Sequence, residues 1–536
     1  MSEALRSTRS MATGTLASRA TGFVRTIVIA TAIGRTVGDA YNVANTVPNI
    51  VYELLLGGVL TSVVVPLLVA GRRGAADDGE EHAQKLLTVV VVLLGGASLL
   101  AVLLAPAIID LYVAGSGTDP RRGGLAVTFA RFFLPQILFY GVGAMFGAIL
   151  NVRGSFAAPM WVPVLNNLVV IVSGLVFIAI TNPVSVDGGV LTTAETLVLA
   201  IGTTLGVAAQ TVALLPALRA TGFHVRLRRH LRGIGLPAAA RLAGWVVVYV
   251  VANQVGYLLI TRLATGIEYR GAYSVYTYAH ILFLLPHSVV AVSVMTALLP
   301  QMSADAADGR LGDVASDLMT GIKLAAVVLV PAAFAAVVLG PLISVVVFAH
   351  RTIPLSTGRL IGYTLAAYAI GLLPFSAFQA QLRAFYALRE TRTPALVNIA
   401  LMLVNVAAAW LLVVILPSGV DVVGLAAAYS LSYVVGFGWL GALLKRRLGA
   451  PPGARLARTI VRLCVASAAA AAVTFAVAQL AVRGAGQGFG GSLLGIVAGI
   501  AVGAPVYILL ALRMRIPEVR RIGELVRGTV ARAPGP

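Results

Sequence analysis

Two arginines, Arg19 and Arg25, fall inside the first apolar stretch of the chain, where a bilayer-spanning helix would carry them into hydrocarbon. A cation at the centre of such a helix costs roughly 2.5 to 3.5 kcal/mol on insertion scales, so two on one helix need a reason. Six residues apart, they are separated by about 9 Å along a helix axis and about 120° around it, which sets them on one broad side. Arg19 lies near enough to the cytoplasmic end to snorkel, whereas Arg25 falls close to mid-membrane. Guanidinium groups bind phosphate and pyrophosphate bidentately. The apolar runs hold few acidic residues. That balance suits an anionic cargo and disfavours a pathway for organic cations, while the bland alternative for either arginine is a buried ion pair that fixes packing.

Asp39, in Gly38-Asp39-Ala40-Tyr41-Asn42, is placed in the outer turn after this helix, where a cap or an exposed loop carboxylate is the ordinary role. Pro48 falls early in the second apolar stretch and would free a backbone carbonyl, giving a bend where a hinge could form. Glu53 follows within that span and could pair with an arginine of the first helix. Arg131, Arg241, Lys323, Arg383 and Arg462 lie within reach of helix ends and read as snorkelling side chains. No GxxxxGK[ST] loop, metal-ligand cluster or paired-carboxylate loop is present, so the chain reads as a transporter rather than an enzyme. Transport would draw on an ion gradient (H+ or Na+), the membrane potential or the substrate gradient, with no cofactor.

The elements that must position these residues are membrane helices. A chain of 536 residues with 59% hydrophobic residues, 11% charged residues and mean hydropathy +0.93 is no water-soluble globule. Apolar runs of about 20 residues recur along its length, each long enough to cross a hydrocarbon core about 30 Å thick. The short alternating segments of an outer-membrane barrel are missing. The net charge of +20 lies in loops between apolar runs, so it reports topology and not nucleic-acid binding. Cys464, the single cysteine, lies in an apolar run and reads as packing. The first apolar run holds two arginines and is too long for a cleavable signal peptide, so it is expected to remain.

The pattern predicts an all-α polytopic membrane protein of fourteen transmembrane helices, over residues 12–34, 41–70, 84–113, 125–151, 161–181, 192–218, 236–264, 271–301, 316–349, 356–388, 394–416, 422–444, 459–482 and 489–512. With the N-terminus in the cytoplasm, about 25 of the 40 Lys and Arg residues fall in inner loops and tails and about eight in outer loops, which places both termini inside. Long-range repetition supports a duplicated plan. Val59 to Pro66 resembles Val294 to Pro300, and Leu150-Asn151-Val152-Arg153 to Pro159 resembles Ala387-Leu388-Arg389 to Pro394, both at an offset near 235. Two six-helix lobes as parallel repeats plus two C-terminal helices follow. The expected divisions are an N-lobe at 1–218, a C-lobe with its basic inner loop at 219–447, helices 13 and 14 at 448–512, and a basic tail at 513–536.

Ser18-Arg19-Ala20-Thr21-Gly22-Phe23-Val24-Arg25, then Gly34, Asp39, Asn45, Pro48-Asn49 and Val65-Pro66, resemble the N-terminal signature of the MurJ (MviN) lipid II flippases of the MOP exporter superfamily. Further matches are Leu150-Asn151 with Phe156 and Pro159, Pro163 to Asn167, Leu298-Leu299-Pro300, and Phe385-Tyr386-Ala387 with Thr393-Pro394. The resemblance covers nearly the whole chain. It implies a two-lobed flippase of the bacterial cytoplasmic membrane that moves undecaprenyl-pyrophosphate-linked disaccharide pentapeptide to the outer leaflet by alternating access. It further implies a cationic cavity between the lobes for the head group, a groove by helices 13 and 14 for the lipid tail, and functional roles for Arg19, Arg25 and Asp39. Ser18, Pro48, Asn49, Tyr52, Glu53 and His280 are candidates for cavity or hinge positions. Implied partners are lipid II or a similar anionic polyprenyl-pyrophosphate glycolipid, membrane lipids and peptidoglycan polymerases. Scarce lysine beside abundant arginine and alanine fits a GC-rich genome of actinobacterial type.

Three positions depart from the pattern. Tyr52 stands where many members carry an arginine, His280-Ile281 where they carry Asp-Arg before a proline, here Pro286, and Thr26 where an acidic residue often follows Arg25. Two alternatives stay open on this scaffold: an exporter of another polyprenyl-linked glycan or of a drug, and a non-transporting scaffold for envelope synthesis.

Overall fold

The computed structural model describes residues 2–54, 64–72, 79–113, 120–230, 236–449 and 453–519, and among these the chain is helical with no strand. In hydrocarbon every backbone polar group needs an internal partner, and a helix supplies one within a single segment. The contacts divide the chain into two compact units, residues 1–266 with 351–353, and residues 267–350 with 354–536.

The first unit holds α1 (Ser2–Ile33), α2 (Thr36–Leu54), α3 (Val65–Arg72), α4 (Glu80–Leu103), α5 (Ala105–Tyr112), α6 (Pro120–Phe133), α7 (Gln136–Val152), α8 (Ala157–Ile180), α9 (Pro183–Asp187), α10 (Thr193–Val212), α11 (Leu215–Ala220) and α12 (Leu236–Gly266). Small residues let its helices approach closely. A Cβ on Gly14 of α1 would lie 2.9 Å from the Trp161 ring of α8, and one on Gly206 of α10 would lie 2.4 Å from Asn166 Oδ1. Thr204 and Thr211 of α10 donate to the carbonyls of Phe132 and Phe139 on either side of the break at Pro135, at 2.6 and 3.0 Å. Leu86, Leu87, Phe146, Ile149, Leu218 and Phe223 form a buried core. Residues 351–353 pack with this unit, Thr352 Oγ1 donating to Thr31 O at 2.8 Å.

The second unit holds α13 (Ala272–Pro286), a π-helical turn (His287–Ala291), α14 (Val292–Ala307), α15 (Leu311–Phe348), α16 (Leu355–Ile370), α17 (Leu372–Ala387), α18 (Arg392–Ile415), α19 (Asp421–Leu448), α20 (Gly453–Ala485) and α21 (Phe489–Arg513). The α20 and α21 pair closes through Gly495, Gly499 and Gly503, whose missing side chains leave room for Val482, Ala478 and Thr474. The segment 356–388, expected as one helix, is bent by 48° between α16 and α17. The Gly371 N–H donates to Ser430 Oγ at 3.1 Å, and Ser430 Oγ donates to Ala367 O at 2.7 Å, so the break is stitched by a side chain of α19.

Helix is found in each of the fourteen expected segments, although the centre of 41–70 (residues 55–63) lies outside the described residues. By length and composition 11 helices of the described chain could cross a membrane, or 12 with the bent pair counted as one span. Two elements differ from expectation. The second helix begins at Thr36, not at 41, and the loop 181–192 contains the short α9.

The offset seen in the sequence recurs in the geometry. α8 and α18 are each 24 residues long and start and end 235 positions apart (157 to 392, 180 to 415). α7 and α17 end at Val152 and Ala387, again 235 apart, and each is followed two residues on by a left-handed residue, Gly154 (φ 81°) and Arg389 (φ 56°). The closing bonds match too, Ser155 N to Leu150 O at 2.8 Å and Glu390 N to Phe385 O at 2.9 Å. This is a Schellman termination in both places.

Candidate functional site

On α1 the stretch from Ser18 to Arg25 presents different groups to different neighbours. Asn167 of α8 donates through Nδ2 to Ser18 O and to Thr21 Oγ1, each at 3.0 Å. A Cβ on Gly22 would meet the same amide at 3.4 Å. Ser18, Thr21 and Gly22 are therefore the packing face, and Ser18 is a seat for Asn167 by its carbonyl. Arg19 lies on the exposed side. Arg25 is half-buried, and among the described residues it makes no ion pair and no hydrogen bond. Two tyrosines of the same unit, Tyr41 of α2 and Tyr140 of α7, are buried.

Those tyrosines anchor a polar network inside the unit. The Tyr41 hydroxyl lies 2.8 Å from Thr203 Oγ1 of α10, and its ring meets Phe129 and Phe133 edge-on at 5.7 and 5.1 Å. Tyr140 donates to Asn49 Oδ1 of α2 at 3.4 Å and carries the Tyr52 ring 4.5 Å from its own. Asn49 and Tyr52 are thus brought together by Tyr140, which the sequence reading does not single out. The only sequence signal for Tyr140 is its place in an apolar run, which reads as core.

Asp39 is not a cap. It lies in the first turn of α2, half-buried, with its N–H bonded to Arg35 O at 3.1 Å. There a carboxylate complements the positive end of the helix dipole. The capping expectation fails because Gly34 (φ 62°) turns the chain so tightly that α2 starts three residues before Asp39. Arg35, beside it, pairs with Asp187 of α9 at 3.1 Å. Pro48 is buried inside α2. Glu53 lies in the last turn of α2 and its side chain is outside the described residues, as is that of Arg241 in α12.

His280 belongs to the second unit, half-buried in α13, with ring contacts to Phe283, Tyr368 and Tyr429 at 5.8, 5.3 and 5.5 Å. Of the charges read as snorkelling, Lys323 of α15 instead faces Glu518 at 3.9 Å, both mostly buried. Arg131 is exposed. Among the described residues no three His, Cys, Asp or Glu side chains are grouped to hold a metal ion. The first unit thus holds a half-buried arginine on α1 and, between α2 and α7, a hydroxyl and amide pair at Tyr140 and Asn49.

Residues 29–498 match the family described as lipid II flippase MurJ. Relatives include a probable lipid II flippase MurJ of Rhizobium meliloti, 30% identical over 448 residues, covering 80% of this chain and 77% of the relative. A lipid II flippase MurJ of Burkholderia cenocepacia is 26% identical over 398 residues, covering 73% of this chain and 75% of the relative. Among solved structures, a lipid II flippase MurJ in an inward closed conformation superposes with a TM-score of 0.75 at 19% identity, over 94% of this chain and 99% of the other. An inward-facing multidrug resistance MATE transporter of the MOP superfamily gives 0.64 at 16% identity, over 80% and 94%.

Proposed function

The chain belongs to the lipid II flippase MurJ family, and from that premise we propose that Arg25, with Arg19 and Asp39, forms the part of the first unit that handles the pyrophosphate of lipid II. As a member it is a lipid II flippase, a transporter and not an enzyme, and a multi-pass protein of the inner membrane that serves peptidoglycan synthesis. Its cargo and its surroundings are lipid II and membrane lipids.

The finer plan is our reading. The 12 spans that include the bent pair, joined by α2 with α3 and by α12, make fourteen. The 235-residue recurrence supports two six-helix lobes, 1–218 and 219–447, followed by the α20 and α21 hairpin at 448–512 as a lipid-tail groove and the basic tail 513–536. Contact grouping sets α12 with the first unit, whereas the repeat pairs α12 with α1; we keep the repeat as the lobe definition because it follows the duplicated chain. Both termini are cytoplasmic in this reading, transport runs by alternating access on an H+ or Na+ gradient or the membrane potential, and polymerases of the cell wall are partners.

The observation that carries the site is Arg25. A half-buried cation in a membrane helix, with no ion pair or hydrogen bond among the described residues, is expensive unless something anionic arrives to meet it. Phosphate oxygens would supply charge-assisted hydrogen bonds worth about 1.5 to 3 kcal/mol each. The test is lipid II translocation in proteoliposomes, with rescue of cells depleted of their own flippase. Arg25→Ala is expected to lose at least about tenfold in translocation and to fail rescue, and Arg25→Lys to retain part, since it keeps charge without the bidentate fork. Equal rescue by wild type and Arg25→Ala would remove Arg25 from the mechanism.

A further inference from the structure

The second unit contains a cavity that the transport reading leaves unused. It has a volume of about 670 Å³ and lies between α15, α16 and α20, beside the loop that follows α20; among the described residues none of α21 lines it. That volume is typical of a site for a small ligand. Its walls are fixed by contacts made outside it. α15 and α16 close on each other at Gly362, where a Cβ would fall 2.2 Å from Pro341 Cα, and α20 closes on α21 at Gly495, Gly499 and Gly503.

The lining changes character along the helices. Phe475, Gln479 and Val482 share one face of α20 at spacings of four and three, and Val338, Pro341 and Leu342 of α15 supply a second apolar wall at the same spacings. Phe475 is ten residues from the end of α20 (475 to 485), about 15 Å along the axis, so the apolar wall runs well into the span. The polar lining gathers at the helix ends. Arg359 is the fifth residue of α16, Tyr363 lies one turn further on the same face, and Gln487 stands just past α20. The Arg359 guanidinium donates to Gln487 Oε1, a neutral partner, and among the described residues it forms no ion pair. A guanidinium carries five N–H donors in a planar fork, so most of this one remains for a ligand. Tyr363 and Phe475 are both exposed, so neither ring is spent on packing the core of the unit. An arginine snorkelling from a helix end explains the charge, but not a polar cluster set over a long apolar wall.

We propose that this cavity binds a glycerophospholipid carrying one anionic phosphodiester, a lipid distinct from the cargo. The phosphodiester takes the fork of Arg359, Tyr363 Oη and Gln479 Nε2 donate to the ester carbonyls deeper in the cavity, and an acyl chain lies on Phe475 and the α15 wall. One guanidinium balances one phosphodiester charge. A pyrophosphate brings more charge than that and finds no second cation among the described lining residues. In the proposed topology these helix ends lie at the outer leaflet.

The experiment titrates the detergent-purified full-length protein with short-chain phosphatidylglycerol, and separately with phosphatidylcholine of the same chains, and reads the bound fraction by native mass spectrometry. Wild type is expected to bind phosphatidylglycerol about tenfold or more tighter than phosphatidylcholine, and Arg359→Ala to lose that preference, the size of one charge-assisted hydrogen bond. Arg359→Gln keeps a polar side chain without the charge; it should show the same loss and decides the matter if Arg359→Ala does not fold. Arg483→Ala removes an exposed cation of α20 that does not line the cavity, and it should leave binding unchanged within about twofold. Equal binding of the two phospholipids by wild type, or equal losses in Arg359→Ala and Arg483→Ala, would overturn the proposal. Chain-free glycerol phosphate competing as tightly as the phospholipid would overturn it as well, since the apolar wall would then have no part. Displacement of phosphatidylglycerol by equimolar lipid II would assign the cavity to the cargo, overturning this site and leaving the flippase reading intact.

Discussion

At the scale of single residues, the proposed function rests on Arg25, and Tyr140 is the neutral group of the first unit that reaches Asn49 and Tyr52. The family arginine expected near Pro48-Asn49 is replaced by Tyr52, and that ring packs at a tilt against Tyr140, whose hydroxyl reaches Asn49. A neutral hydrogen-bonding surface thus occupies the place of a second cation, and in the proposed function anion binding falls to helix α1. Tyr140→Phe removes one hydroxyl and keeps the stack, so it should lower lipid II translocation about two- to tenfold, matching a hydrogen bond of about 0.5 to 1.5 kcal/mol. Tyr140→Ala also removes the ring against which Tyr52 rests, and its loss should be larger. The translocation rate of the two variants in proteoliposomes checks the order; a Phe variant as impaired as the Ala variant would assign the effect to the hydroxyl alone. Arg19→Ala should be milder than Arg25→Ala in the same assay, because Arg19 is exposed whereas Arg25 is half-buried.

At the scale of elements, close helix contacts are made where glycine leaves room for a neighbour's backbone. A Cβ on Gly362 of α16 would fall 2.2 Å from Pro341 Cα of α15, a backbone atom that cannot move aside. Gly362→Ala should therefore lower the thermal unfolding temperature of the purified protein, by the equivalent of about 1 to 3 kcal/mol or more. A Cβ on Gly438 of α19 would have nothing within 4 Å. Gly438→Ala should leave the unfolding temperature unchanged or raise it slightly, since alanine is the better helix former by about 0.5 to 1 kcal/mol. The clamp from Asn167 to α1 makes a similar case. Asn167→Ala should destabilise the α1 and α8 pair by about 1 to 3 kcal/mol, since Ser18 O and Thr21 Oγ1 lose their donor.

For the whole molecule, the inside-positive distribution of Lys and Arg and the 235-residue repeat make one connected claim about how the chain crosses the bilayer. With Cys464 replaced by serine the chain has no other cysteine, so single reporters can be read without interference. Val190→Cys, exposed beyond α9, should react with a membrane-impermeant maleimide on intact spheroplasts, and Arg229→Cys, exposed in the basic inner loop, only after lysis. The reverse labelling would invert the topology and the direction assigned to transport. The sequence by itself determined the class and the register of this protein: apolar length dictates membrane helices, unsolvated cations announce an anion, and duplication leaves an offset that survives as Schellman turns at Gly154 and Arg389. It also makes Arg25 a candidate, because the energetic penalty of a mid-span charge is local and legible. Only the tertiary structure decided which neutral side chains of the first unit pair with one another, as Tyr140 does with Asn49 and Tyr52. Tyr140 reads as an ordinary member of an apolar run, since a periodicity argument cannot say which face of one helix meets which face of another. Asp39 passed from turn to helix, and Lys323 acquired Glu518, for the same reason: caps and ion pairs are set by where separate segments come to rest, 195 positions apart in the second case, and spacing along the chain does not encode that distance.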